Sequence, residues 1–214
     1  MPHTPPTVTG YSDRINHALA FAAKHHDQQV RKGSSLPYAT HPASVAIILA
    51  RYGCDEMTVV AGILHDVIED YVSADFTREM LEQRISTKFG VEVLDTVLAV
   101  THRRHDDDGA EFSAEEVKQD YLVRLTDASD RARWVCAADK LHNANAILAD
   151  LARTIEPEGV WARFKVGKEG TVRWYRSVYE RLKALSFDEA IMPELERTVK
   201  AVEAAGGGLV SPRR

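Results

Sequence analysis

Cysteine is scarce: Cys54 and Cys136 are the only two among 214 residues. They sit in no metal-like spacing and cannot form a disulfide framework, so a reducing cytoplasm is the simplest compartment. Positive charge is not in excess either. A net charge of −5 argues against a protein that coats nucleic acid. It leaves room for a phosphorylated small molecule, which needs only a local cluster of Lys and Arg. Long apolar runs are missing as well: "SVAIILA" and "GIL" are far too short to span a bilayer. The Pro-rich opening "MPHTPPTVTG" has no apolar signal core. Residues 1–12 read as a flexible arm and 205–214 as a flexible tail. Alternating strand patterns, internal repeats and domain-splitting linkers are also hard to find.

Helical periodicity is what remains, in a chain of ordinary globular composition. The spacing predicts helices over 13–27, 42–52, 56–70, 77–89 and 91–101. A capping box at "SAEE" opens a helix that runs to about Leu125. Further helices are predicted over 128–152, with a break near the start, and over 171–185 and 188–204. Loops are expected at 31–40, 102–112 and 154–170. The expectation is one all-α domain over 13–204, a bundle of roughly eight to ten helices.

Charge falls in unexpected places within that pattern. "GILHDVIEDY" sets His65, Asp66, Glu69 and Asp70 among Ile63, Leu64, Val67 and Ile68. On a continuous helix His65 aligns with Glu69, and Asp66 with Asp70. For Glu69 and Asp70 taken alone, a solvent-facing strip beside a core strip is the better reading. Two distant segments favour chemistry. "LPYATHPASVAIILA" places His41 just before an apolar helix, and "WVCAADKLHNANAIL" places Asp139 as a lone acid in an apolar run. A buried Asp is rare unless paired or ligated. His41, His65, Asp66 and Asp139 together make a borderline-hard N/O ligand set that suits Mn²⁺ better than Zn²⁺, Fe²⁺ or Mg²⁺.

The order His … His-Asp … Asp resembles the HD-domain superfamily of metal-dependent phosphohydrolases. More narrowly, "HDQQVRKGSSLPYATHP", "AGILHDVIED" and "AADKLHNA" resemble the hydrolase domain of the RelA/SpoT homologue family, from about residue 13 to 150. That resemblance implies an all-α HD fold, and removal of pyrophosphate from the ribose 3′ position of ppGpp and pppGpp by a stand-alone small alarmone hydrolase. It implies metal ligands at His41, His65, Asp66 and Asp139, and a catalytic acidic pair at Glu69 and Asp70. It places Arg31, Lys32 and Asn143 on the nucleotide, with Tyr38 lining the pocket.

The chain departs from the long bifunctional members in two places. The loop from Arg31 to His41 is one residue longer, with Gly33 where they often carry Ser, and "ANAIL" follows Asn143 where they carry an "MRTL"-like segment. Both touch the nucleotide pocket, so ppApp and NADPH stay open as substrates, as does a nucleoside monophosphate. An antitoxin-like binding protein is the rival from another class; the presence of Glu69 and Asp70 argues against a dead domain.

Farther on, "WARFKVGKEGTVRWYRSVYERL" interleaves aromatic and basic residues. It reads either as a phosphate-collecting lid, with Lys168 the foremost candidate, or as an amphipathic helix whose aromatics close the core. "THRRHDDDG" fits a solvated loop better than a second metal site. A small-molecule nucleotide is thus the expected partner, with no nucleic acid and no membrane, and a homo-oligomer stays open.

Overall fold

The computed structural model describes residues 11–31, 33, 36–71 and 76–207, with the backbone alone described for Asp70 and Tyr71. Lys32 and the Asp70 side chain therefore lie outside the described residues, as does most of the expected arm and tail.

The described residues form eleven helical segments: α1 (Asp13–His25), α2 (Thr40–Arg51), α3 (Glu56–Leu64), α4 (Val67–Tyr71), α5 (Arg78–Phe89), α6 (Val91–Val100), α7 (Ala114–Arg124), α8 (Asp130–Arg153), α9 (Pro157–Trp161), α10 (Gly167–Ala184) and α11 (Met192–Ala205). Apart from two isolated bridges, Val30 with Pro37 and His105 with Glu111, no strand occurs among the described residues. The all-α expectation holds. The count exceeds it by one because α4 and α9 are single-turn pieces of five residues each.

Two helices form the centre. Thr58 through Leu64 of α3 are all buried, so this helix is apolar on every side and packs against α1, α2, α6 and α8. The 24-residue α8, about 36 Å long, carries an unbroken buried run from Val135 to Leu141 and also meets α2, α10 and α11. The expected break near the start of α8 does not occur. Ser129 caps the helix by accepting from the Ala132 amide, which fixes a single start at Asp130. Gly62 lets α2 and α3 approach closely: a Cβ there would come within 2.4 Å of Leu49 Cδ1.

The predicted 56–70 helix is interrupted. His65 and Asp66 form a turn between α3 and α4. His65 Nδ1 lies 2.7 Å from the Gly62 carbonyl, the acceptor that the Asp66 amide would use in a continuous helix. The predicted 154–170 loop likewise contains α9 and the first turn of α10.

One part-buried ion network fixes the chain just past α6. Arg124 on α7 donates to the carbonyls of Leu98 and Ala99 at 3.2 Å and of Thr101 at 2.7 Å, closing the helix end that those acceptors leave open. Asp120 braces Arg124 at 2.8 Å and also bonds Arg103. Burial alone would raise the Asp120 carboxyl, but bonds from the two arginines outweigh it and hold it below the usual range. A depressed native pKa contributes stability that is complete above the unfolded value of about 3.9 and lost as pH falls through the native one. Asp120→Asn is therefore expected to cost about 1–3 kcal/mol at pH 7. Its deficit against the wild type should narrow below about pH 4 in urea unfolding at several pH values; a deficit that stays constant with pH would contradict this.

Candidate active site

Three central elements converge on one point. α2 delivers His41 from its first turn, the α3–α4 turn delivers His65 and Asp66, and α8 delivers Asp139. His41, His65 and Asp139 bring one donor atom each to within 4.8 Å of one another, and all three are buried. His41 Nε2 stands 3.2 Å from His65 Nε2, 3.2 Å from Asp139 Oδ1 and 3.3 Å from Asp66 Oδ2. His65 Nε2 stands 3.2 Å from Asp66 Oδ1 and 3.7 Å from Asp139 Oδ1. Ligands held about 2.1 Å from one ion would sit at about these mutual spacings.

The chemistry of the set also calls for a cation. Two imidazole Nε2 atoms face each other beside two carboxylates, and only positive charge at the centre reconciles them. A proton is one answer: against the opposing effect of burial, Asp66 and Asp139 push His65 well above the ordinary histidine range. Burial would likewise raise both acids. The imidazoles hold Asp66 well below the usual range, while Lys140 and then the imidazoles do the same for Asp139. A divalent metal is the other answer, and the donor set fits one.

The outward-facing atoms are held too. His65 Nδ1 donates to the Gly62 carbonyl, which leaves Nε2 free to ligate. His41 Nδ1 lies 2.8 Å from His142 Nδ1. Burial, aided by His41 and Arg31, pushes His142 down to about 4, so it is a neutral acceptor at pH 7. Asp139 gives its second oxygen to Lys140 Nζ at 2.6 Å and accepts from Asn143 at 2.5 Å on the first. Tyr38 donates its hydroxyl to Asp66 Oδ2 at 2.6 Å.

Beside this cluster opens a cavity of about 350 Å³. Arg31 lines it, donating to Asn143 at 2.9 Å, with its guanidinium 5.8 Å from the Tyr38 ring. Glu69 lines it from α4, held by His102. Tyr121, Trp174 and Tyr175 supply aromatic wall, and Lys118, Lys140 and Arg163 supply further positive charge.

Lys168, expected to reach the site, does not line the cavity. It sits in the first turn of α10, paired at 3.3 Å with Glu158 of α9. Of the basic residues in that segment, Arg163 is the one on the cavity wall, paired with Asp150 at 2.5 Å. Trp161 and Tyr175 are buried, so aromatics of this segment close the core as well as the cavity. Sequence reasoning passed over Lys140, although the criterion that selects Asp139, a lone charge in an apolar run, selects it equally. It also passed over His102, which directly follows the apolar face of α6, and Lys118, for which no signal existed.

His142→Ala should lower divalent-metal affinity by about 10- to 100-fold, since it removes the acceptor that orients His41. Metal titration followed by calorimetry tests this; unchanged affinity would remove His142 from the site.

The chain matches the HD-domain family over residues 18–172. It is 34% identical over 151 residues to a Myxococcus xanthus protein named GTP pyrophosphokinase, covering 67% of this chain and 19% of that one. It is 29% identical over 164 residues to an Aquifex aeolicus protein named guanosine-3′,5′-bis(diphosphate) 3′-pyrophosphohydrolase, covering 71% and 22%. The chain thus spans about a fifth of the length of these curated relatives. A solved structure described as a metazoan ortholog of SpoT that hydrolyzes ppGpp superposes with a TM-score of 0.67 at 26% identity, over 91% of this chain and 98% of that one. With the His and Asp side chains of the HD motif gathered at one point and the match extending through most of the fold, this chain belongs to the HD-domain family.

Proposed function

We propose that this chain is a metal-dependent alarmone hydrolase that removes pyrophosphate from the ribose 3′ position of ppGpp and pppGpp, giving GDP or GTP. One observation carries the reading. A buried N/O donor cluster opens directly onto a cavity with four cationic side chains and an aromatic wall, the surface that a polyphosphorylated nucleotide needs. The 3′-pyrophosphohydrolase name of the Aquifex relative and the ppGpp hydrolysis described for the metazoan protein support the choice of bond.

In this reading His41, His65, Asp66 and Asp139 hold the ion, and Mn²⁺ is the cation best matched to two imidazoles and two carboxylates. A divalent ion there would supply Lewis-acid polarisation and make the attacking water more acidic. Arg31 stacks on the base or forks onto phosphate, and Lys118 and Lys140 offset phosphate charge. Lys32 joins them by the family resemblance. Glu69 handles a proton at the reacting water, with Asp70 as its partner in the acidic pair. The enzyme works in the cytoplasm.

Metal-reconstituted protein assayed against ppGpp, ppApp, NADPH and a nucleoside monophosphate should release pyrophosphate from ppGpp. Free phosphate from the monophosphate alone would identify a nucleotidase instead. Asp139→Ala should lose metal and activity together, whereas Glu69→Ala should keep metal, read by elemental analysis, and lose turnover. Lys118→Ala should raise KM about tenfold, the equivalent of one charge-assisted phosphate contact.

A further inference from the structure

His102 stands out because it belongs to a loop whose tip faces water. Asp107, Asp108 and Gly109 are exposed, and Asp106 spends its side chain on the amides of Asp108 and Ala110. His102 turns inward. Its backbone amide donates to Glu69 Oε2 at 3.1 Å, and its Nδ1 lies 2.8 Å from the same oxygen. The ring is clamped, stacked on buried Tyr121 with centroids 4.6 Å apart and planes 22° apart, and set 6.0 Å from Trp174. The backbone that carries it is pinned one residue earlier, where Arg124 holds the Thr101 carbonyl.

We propose that His102 is the positioning residue for Glu69. Resting on the alarmone-hydrolase reading, this assigns the geometry of the reacting water to a pair formed by α4 and the chain after α6. Both donors fall on Oε2, while Oε1 accepts no hydrogen bond among the described residues. An oxygen that accepts two N–H bonds has no lone pair free for a proton, so Glu69 works through Oε1 as an acceptor. Oε1 takes a proton from the attacking water as its oxygen bonds the phosphorus and the bond from phosphorus to the ribose 3′ oxygen breaks. The 3′ oxygen leaves protonated, its proton supplied by a second acid, and pyrophosphate is released. His102 shares the cavity wall with Glu69, and in this scheme it acts through that carboxylate rather than on the reacting atoms. It fixes the carboxylate plane, and an error of about 1 Å in such a group costs on the order of 100-fold in rate.

The test compares His102→Ala, His102→Asn and His102→Gln, all of which keep the backbone donor. Asn places an amide nitrogen where Nδ1 stands; Gln places one where Nε2 would be. For pyrophosphate release from ppGpp by the Mn²⁺-loaded enzyme, His102→Ala should lose about 10- to 100-fold in kcat, with KM within about threefold. Metal content should stay at the wild-type level. His102→Asn should recover to within about fivefold of wild type and His102→Gln should not. In metal-free ¹³C-labelled protein, the Glu69 carboxyl resonance should move in His102→Ala and return in His102→Asn. Should His102→Ala fail to fold, the contrast between Asn and Gln decides alone. Equal rates for those two, a wild-type kcat in His102→Ala, or a loss confined to KM would overturn the inference. A wild type that releases no pyrophosphate would overturn the functional reading and this inference with it.

Discussion

Four side chains held against their own repulsion set the terms for this structure. His41, His65, Asp66 and Asp139 crowd nitrogen and oxygen donors to within 3.2–3.7 Å in a place sheltered from water. Without a cation the arrangement is unfavourable, since desolvated carboxylates lose several kcal/mol of hydration each. The surrounding helices supply the restraint. α3 is buried on all sides, α8 runs past it with an unbroken buried run, and Gly62 removes the bulk that would part α2 from α3. A binding site formed in this way is rigid before any ligand arrives, which is the condition for selectivity by geometry.

The break between α3 and α4 is the second constraint. A continuous helix would carry Glu69 one turn beyond His65 on a shared stripe. The interruption gives the acidic residue an element of its own, and its partner comes from the chain that leaves α6. The His and Asp donor cluster and the Glu69 carboxylate are thereby anchored to different elements. Arg124 and Asp120 then connect the second of these to α7, so the position of one carboxylate is tied to an ion network on the far side of the α6 terminus.

Much of this was legible in the sequence, for identifiable reasons. Helices with side-chain caps, such as α7 with its capping box, are written locally and could be placed closely. His41, His65 and Asp139 were legible because charge in apolar runs violates a strong burial preference. The α3–α4 interruption was not, because it depends on an imidazole bonding a backbone carbonyl, which no periodicity encodes. Lys168 was expected at the cavity because a Gly-bracketed lysine looks mobile, and its pairing with Glu158 depends on the five-residue α9, which the sequence pattern does not announce. Lys118 was invisible since its relevance arises only where α7 meets α10.

Arg163 lies directly over Gly33, where any Cβ would fall about 2.1 Å from its Nε, and the glycine itself adopts a left-handed φ of +76°. The early loop and the last third of the chain therefore meet at the mouth of the cavity through a gap sized for a bare backbone. The clustered His and Asp donors come from positions 41 to 139, whereas this rim requires Arg163, which follows them in the chain. The cavity beside the donors is thus completed only where the α9–α10 segment folds back against the early loop.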